Sequence, residues 1–237
     1  MEFGVGDSEV ILFSSGIDSF IAWHYLGKPK CLHFVGHSRY SWKEKIAVEQ
    51  FAERHPESKI IIVGDYWLSQ FEAEDANIPG RNLHFAAVAA HYGDKVYLVC
   101  QRGEMVIPDR SPKFFTEVSE LLTFLHGRPK LISPVFQDMT KADMVKWALE
   151  NRVPREDLLS TYSCFSGLAG RCGGCPACAR TAWALDYNNI LPNNFFLQDI
   201  WKWEGWQQYI SKIKAGKYES VRANQTELVL RKRGIWK

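Results

Sequence analysis

Glu9-Val10-Ile11-Leu12-Phe13-Ser14-Ser15-Gly16-Ile17-Asp18-Ser19 opens on an apolar run rich in branched residues and breaks at a serine-glycine turn. A short apolar run of this kind reads as a strand buried on both faces. Asp18 to Leu26 then follow with helical spacing. Small residues in the turn let the backbone approach a ligand, and N–H groups at the start of a helix favour anions. The hydroxyls of Ser14, Ser15 and Ser19 add donors, so the turn suits phosphate. No G-K-[ST] follows it, which excludes a P-loop, and the G-x-G of Gly4-Val5-Gly6 precedes the strand, which excludes a dinucleotide fingerprint. Taken alone, the same residues equally suit an N-capped helix behind a serine-rich turn.

Working outward, the pattern repeats. Lys30–Gly36, Lys59–Gly64, Lys95–Cys100 and Leu131–Val135 read as strands. Trp42–Arg54 reads as a helix of mixed charge, Arg81–Tyr92 as an alanine-rich, buried helix, and Ser111–His126 as holding a helix with Pro112 in its first turn. Thr140 is the expected N-cap of a helix to Glu150, with Asp143 at the third helical position as an acidic variant of the capping box. Residues 65–80 read as polar and irregular, ending in Pro79-Gly80. Alternation of strands and helices predicts an α/β fold with a mostly parallel sheet. Ligands in such sheets bind at the carboxyl ends of the strands, where the strand order reverses. Arg81 and Lys141 stand at helix starts on that edge and would supply positive charge there.

The chain of 237 residues is 46% hydrophobic and 24% charged, which excludes wholesale disorder, and its net charge of +2 does not by itself argue for nucleic acid or membrane. No apolar stretch approaches the ~20 residues needed to span a bilayer. Met1–Ser8 has acids and no basic residue, so a secretory signal is not expected there and a soluble, cytoplasmic protein is. The charge is uneven: residues 201–237 hold nine basic and three acidic residues and four of the nine tryptophans. Basic charge interleaved with aromatics suits a nucleic acid or an acidic partner. It equally suits tryptophans packed on the core or on a homodimer interface with lysines directed outward.

Six cysteines divide into two groups. Cys31 and Cys100 lie in apolar runs and read as buried strand residues. Cys172-Gly173-Gly174-Cys175-Pro176-Ala177-Cys178 places thiols three residues apart, and Cys164 adds a fourth across a seven-residue loop. Four clustered cysteines in a reducing compartment point to metal. Tetrahedral zinc with no open position, hence a structural site, is the first reading; an iron–sulfur cluster and a redox dithiol use the same residues. Arg171 and Arg180 are placed to offset the negative charge of such a site.

These residues carry a family resemblance. Phe13-Ser14-Ser15-Gly16-Ile17-Asp18-Ser19 resembles the Ser-Gly-Gly-x-Asp-Ser pyrophosphate loop of the ATP pyrophosphatases. Gly80-Arg81-Asn82-Leu83, Pro108-Asp109, Ser133-Pro134 with Thr140-Lys141-Ala142-Asp143, and Tyr162-Ser163-Cys164 with the C-G-G-C-P-A-C run then follow in the order of the 7-cyano-7-deazaguanine synthase family of the queuosine pathway. The resemblance covers roughly residues 8–186. It implies a Rossmann-like adenine nucleotide alpha hydrolase (PP-loop) domain over 1–155, a zinc-binding segment over 156–187, and a C-terminal extension over 188–237 that the family pattern lacks. It implies an ATP-dependent C–N ligase that adenylates the carboxylate of 7-carboxy-7-deazaguanine, aminates it with ammonia and dehydrates the amide to the nitrile. Ser14, Ser15, Gly16, Asp18, Ser19, Arg81, Asn82 and Lys141 are the implied ATP contacts, Lys141 and Asp18 the implied catalytic pair, Asp109 the reader of the guanine-like edge, and Mg²⁺ and Zn²⁺ the implied metals, the latter on Cys164, Cys172, Cys175 and Cys178.

Three departures bear on this expectation. Ser15 replaces the first loop glycine; Ile107 and Arg110 replace the tyrosine and cysteine of the family's S-G-Y-P-D-C-R; and the chain continues for about fifty residues beyond the cysteines. The altered segment and basic tail keep a second reading open, in which the activated deazaguanine is joined through an amide to an amine of a protein or nucleic acid, as in a defence system. Thiolation or lysidine-type modification of tRNA, and a zinc-stapled interaction module without catalysis, are the remaining alternatives.

Overall fold

The computed structural model describes residues 8–36, 38, 40–73 and 78–237. The reading of Met1–Ser8 except for Ser8 itself, that of Gly4-Val5-Gly6, and part of the stretch 65–80 lie outside these residues.

Five parallel strands form one sheet: β1 (Glu9–Leu12), β2 (Lys30–Gly36), β3 (Ile61–Tyr66), β4 (Lys95–Val99) and β5 (Leu131–Val135), in the order β3-β2-β1-β4-β5. The chain winds outward from β1 to β2 and β3, then crosses back to place β4 on the other side of β1. β1 is therefore the point of reversal, where the carboxyl ends of adjacent strands open a crevice. Val10 sits opposite both Lys30 and Val96, and Ile11 opposite Cys31 and Tyr97. The two-residue period of a strand sends these neighbours to opposite faces. Val10 joins Leu32, Val96, Leu98 and Ile132 beneath α3 (Arg81–Ala89) and α4 (Pro112–His126). Ile11 joins the layer of α1 (Ile17–Tyr25), α2 (Ser41–Arg54), α5 (Lys141–Glu150), α6 (Arg155–Ser160) and α7 (Pro176–Tyr187).

Element boundaries follow local chemistry. Thr140 Oγ1 accepts from the Asp143 amide at 3.1 Å, and Asp143 Oδ2 accepts from the Thr140 amide at 2.9 Å, which completes the expected capping box of α5. Pro112 opens α4, and Ser111 caps it through the Phe114 amide at 3.2 Å. β3 begins later than its apolar run: Lys59 has φ 47° at the end of a 3₁₀ turn over Pro56–Ser58, and the strand starts at Ile61. α3 ends at Ala89 and is not the buried helix its alanines suggest. Only Ala86 and Ala89 are buried in it, because its small residues meet the sheet along one stripe while Leu83 and His84 face outward.

The C-terminal stretch packs on this body. After a 3₁₀ turn at Ile200–Lys202 come α8 (Trp206–Lys214) and α9 (Ser220–Lys232). Trp206, Ile210, Val229, Leu230 and Trp236 belong to the same buried cluster as Ile11. Trp203, Trp206 and Tyr209 form a mutual ring cluster with centroids 5.6–6.1 Å apart, although Trp203 precedes the helix rather than sharing its stripe. Buried Asp186 of α7 receives Arg233 Nε at 3.0 Å and Lys232 Nζ at 3.4 Å. Among the described residues no helix is long and apolar enough to cross a membrane.

Fully burying a large apolar side chain stabilises a fold by about 1.5–3 kcal/mol, against a total stability of about 5–15 kcal/mol. Truncation after Asn189 removes Trp206, Val229 and Leu230 together and leaves Asp186 buried without a counter-charge. The truncated chain is expected to be insoluble or unfolded. A soluble truncation with a cooperative thermal transition near that of the parent would contradict this packing.

Candidate active site

The crevice at the carboxyl ends of β1 and β4 is a cavity of about 390 Å³. Its floor is the turn between β1 and α1. Ser19 Oγ donates to the Gly16 carbonyl at 3.0 Å and accepts from the Ser14 amide at 3.3 Å; Ser14 Oγ accepts from the Gly16 amide at 3.3 Å. Among the described residues no side chain caps α1, so its first-turn N–H groups keep the capacity to bind an anion. Ser15 has φ 57°, the left-handed region that favours glycine. Its side chain turns away from the cavity, where Oγ donates to the Ala47 carbonyl of α2 at 3.1 Å. A residue in that region costs about 1–2 kcal/mol and a buried hydrogen bond returns about 1 kcal/mol, so serine is accommodated where the family pattern has glycine. Gly16 is crowded: an added Cβ would stand 2.9 Å from Ser163 Oγ and 3.2 Å from Ser14 Oγ, so both hydroxyls would have to turn aside.

Two charged pairs stand above this floor. Asp18 Oδ2 accepts from Lys141 Nζ at 2.7 Å. Asp18 comes from the first turn of α1 and Lys141 from the first residue of α5, so the pair joins the loops after β1 and β5. Asp18 Oδ1 is buried and has no hydrogen-bond partner among the described residues. Lys141 is 4% exposed. Burial, above all, and the Arg180 guanidinium hold its ammonium below the ordinary lysine value, with Asp18 opposing. Glu104 and Arg110 form the second pair at 2.6 Å in the loop after β4. Burial raises the Glu104 carboxyl, but Arg110 and Arg222 outweigh it and hold the group below the usual carboxylate range.

The far wall holds Arg81 and Asn82 of α3 with Glu44 of α2 and Glu72. Tyr40 donates its hydroxyl to Glu72 at 3.3 Å. Burial pushes Glu44 up from 4.5 to about 7, with Arg81 opposing and Glu72 adding to the rise. Phe34 and Phe85 stack at 4.4 Å on the same side. Asp109 does not line the cavity. Its carboxylate accepts from the Asn82 amide at 3.4 Å, and its carbonyl from Asn82 Nδ2 at 3.1 Å, so it acts on the start of α3 instead. Of the residues expected from the sequence, Ser14, Asp18, Ser19, Arg81, Asn82 and Lys141 line the cavity, whereas Ser15 and Gly16 do not. Glu44, Glu72, Glu104 and Arg180 were not singled out for the cavity; Arg180 was expected to serve the cysteines.

The four cysteines gather at the edge of this site. The Sγ atoms of Cys164, Cys172, Cys175 and Cys178 all lie within 4.8 Å of one another. Tetrahedral zinc–thiolate bonds of about 2.3 Å require sulfurs about 3.8 Å apart, so the cluster fits a metal after a small contraction. Backbone N–H groups of Ser166 and Cys172 point at Cys164 Sγ, that of Gly174 at Cys172 Sγ, and that of Cys178 at Cys175 Sγ, at 3.3–3.5 Å. Donors so aimed favour thiolates. The cluster also supports the floor: the Tyr162 amide donates to the Ser15 carbonyl at 2.9 Å, and buried Lys43 ties Tyr162 Oη at 2.9 Å to the Ser166 carbonyl at 2.7 Å. Arg171 donates to the carbonyls of Leu159 and Thr161, and Arg180 lines the cavity.

A parallel sheet wound about β1, with its crevice at the strand reversal, is the architecture of the doubly wound α/β proteins. Residues 56–189, more than half of the chain, match the family described as queuosine biosynthesis protein QueC, and the chain belongs to that family. It is 30% identical over 112 residues to a 7-cyano-7-deazaguanine synthase of Prochlorococcus marinus subsp. pastoris, covering 43% of this chain and 49% of that one. To the 7-cyano-7-deazaguanine synthase of Methanosphaera stadtmanae it is 29% identical over 132 residues, covering 53% and 57%. To that of Methanobrevibacter smithii it is 31% identical over 112 residues, covering 44% and 47%. The chain thus spans about half the length of the relatives it matches.

The raised Glu44 pKa has a sign that can be measured. A carboxyl that binds its proton more tightly when folded adds stability below its unfolded pKa and loses that contribution as pH rises through about 7. Glu44→Gln stays neutral. It is expected to become more stable than the parent as pH rises from 5 to 8, by on the order of 1–3 kcal/mol. Urea denaturation that shows a constant difference across this range would contradict the assignment.

Proposed function

We propose that this protein uses ATP to adenylate the carboxylate of 7-carboxy-7-deazaguanine and aminates it with ammonia, giving 7-cyano-7-deazaguanine. The observation that carries this reading is the start of α1 behind the Ser14–Ser19 turn, uncapped by any described side chain, with Lys141 of α5 brought onto its Asp18 in the same cavity. A carboxylate does not react with an amine at neutral pH; adenylation supplies a leaving group. In the proposed reaction the carboxylate oxygen attacks the α-phosphorus of ATP and pyrophosphate departs. Ammonia then displaces AMP to form the amide, and a second adenylation, on the amide oxygen, allows loss of AMP to the nitrile.

The chain's own groups divide the work. Amides of the turn and the hydroxyls of Ser14 and Ser19 hold the departing pyrophosphate, and Lys141 offsets its charge. Asp18 holds Lys141 with one oxygen and offers Oδ1 to Mg²⁺, which when bound neutralises phosphate charge. Arg81 and Asn82 extend the binding surface, and Asp109 sets the start of their helix. Glu72, and Glu44 once it ionises, would accept from the ring N–H and amino group of a guanine-like base. Cys164, Cys172, Cys175 and Cys178 would hold Zn²⁺ as a structural ion with no open position. Trp201, Trp203 and Trp206 are engaged with one another or with Tyr209, which favours the packing reading of the tail and the small amine over a macromolecular acceptor.

Incubation with ATP, magnesium, ammonia and 7-carboxy-7-deazaguanine is expected to release pyrophosphate and AMP, with the nitrile identified by mass spectrometry. Lys141→Ala should slow pyrophosphate release on the order of a hundredfold with the fold retained. Carboxylate-independent ATP turnover, or a Lys141→Ala rate equal to the parent's, would refute the reading. A product bound to protein or nucleic acid would replace the ammonia step with conjugation.

Elemental analysis is expected to find about one zinc per chain, held through mild dialysis. Cys175→Ser should lose it and lower the thermal midpoint. A metal-free parent of full stability, or an iron–sulfur chromophore, would refute the zinc assignment.

A further inference from the structure

The C-terminal helix α9 lies outside the residues that match the family, yet its first two turns grip both loops that carry charge into the cavity. Gln225 is buried and its carboxamide makes two hydrogen bonds. Nε2 donates to Asp143 Oδ1 at 2.8 Å, and Oε1 accepts from Thr140 Oγ1 at 2.6 Å. Thr140 and Asp143 are the two members of the α5 capping box. Gln225 thus bridges the two members of the box from outside with one side chain. Lys141 is the residue immediately after that N-cap. Thr140 is 0% exposed, so water offers no replacement for a lost bond, and a half-satisfied buried network costs more than the bond alone.

One turn earlier, α9 holds the loop after β4. Glu219, its N-cap, accepts from the Arg222 amide at 2.9 Å and from Arg102 Nε at 2.9 Å. Arg222 Nη1 donates to the Arg102 carbonyl at 3.3 Å. The approach is close: Gly103 has φ 81°, and an added Cβ there would stand 2.8 Å from Glu219 Cβ. The Arg102 amide in turn donates to the Met139 carbonyl at 3.0 Å, beside the capping box. Gln101 and Glu104, on either side of this contact, line the cavity.

We propose that Gln225 is a positioning residue for the reaction: by joining Thr140 to Asp143 it fixes the entry of α5, and with it the place of the Lys141 ammonium against Asp18. The C-terminal helix is then a working part of the active site rather than an appendage to it. The proposal rests on the role given above to Lys141 in binding phosphate, but its structural half is independent of that role.

The test uses the full chain and three variants: Gln225→Glu, Asp143→Asn and the double variant. Gln225→Glu sets a carboxylate against the Asp143 carboxylate and forces the box apart. Adding Asp143→Asn turns that contact into an amide donating to a carboxylate and restores it. Hydrogen exchange, read by mass spectrometry on a peptide spanning residues 139–146, should speed up about tenfold or more in Gln225→Glu and return toward the parent in the double variant. Pyrophosphate release per folded molecule should fall about tenfold or more, as expected for a displaced charge, mainly in kcat, and should recover with the same second substitution. A general loss of stability would speed exchange in peptides throughout the chain, whereas the proposal confines the change to the start of α5. Unchanged exchange in Gln225→Glu overturns the proposal. So does faster exchange with an unchanged turnover, or a loss that the double variant does not repair. If the parent itself releases no pyrophosphate, the proposed reaction falls, and the exchange data still decide whether Gln225 sets the start of α5.

Discussion

The pair of buried Lys141 and half-buried Asp18, 2.7 Å apart, is the constraint about which the site is arranged. A lysine removed from water persists as a cation only beside a counter-charge, and leaving the buried Lys141 alone would cost several kcal/mol. The two residues come from loops after β1 and β5, with β4 between these strands in the sheet. Only a reversal of strand order at β1, with helices that start at the same edge, brings them together. Asp18 satisfies Lys141 with one oxygen and leaves the other without a partner among the described residues, and burial with Arg180 nearby keeps the ammonium poorly stabilised. In the proposed reaction a phosphate would pair with this ammonium and magnesium with the second oxygen of Asp18.

Rigid supports surround it. The floor is held from below by the segment that leads into the cysteines, through the Tyr162 amide on Ser15 and Ser163 against Gly16. The far end of α1 is fixed by Trp23, whose Nε1 donates to the Pro29 carbonyl at 3.1 Å. The roof is held by α9 on the capping box of α5 and on the loop after β4. A cysteine cluster and a C-terminal extension that look like separate modules in the sequence therefore act on the same few residues. Preorganised donors of this kind need no rearrangement when charge develops on a leaving group.

The sheet was legible because each strand is a short branched apolar run and each break carries a turn residue. The Ser14–Ser19 turn, the capping box at Thr140 and the four cysteines were legible because their chemistry depends on neighbours in sequence. What escaped the sequence depends on neighbours in space. Glu44 sits in a helix of mixed charge and looks like solvated surface until Arg81 and Glu72 close over it. Asp109 was read from its Pro-Asp motif as a base contact, yet the 3₁₀ turn at Pro108–Arg110 aims it at Asn82. Lys59 was read as strand because its left-handed backbone is set by the turn before it rather than by its type. The basic, tryptophan-rich tail suggested an acceptor surface, but composition does not distinguish aromatic rings stacked on one another from rings offered to a partner. Gln225 carries no local signal, since its two partners lie more than eighty residues away.

The central claim is that nucleotide phosphates occupy the floor of the cavity, between the turn after β1 and Lys141. A crystal structure of the full chain with magnesium and a non-hydrolysable ATP analogue blocked between the α and β phosphates tests it most directly. The account predicts the β and γ phosphates against the amides of residues 15–19, with Lys141 Nζ in contact and the metal on Asp18. An analogue bound elsewhere, or one whose phosphates point away from the turn while Lys141 stays paired with Asp18 alone, would contradict it.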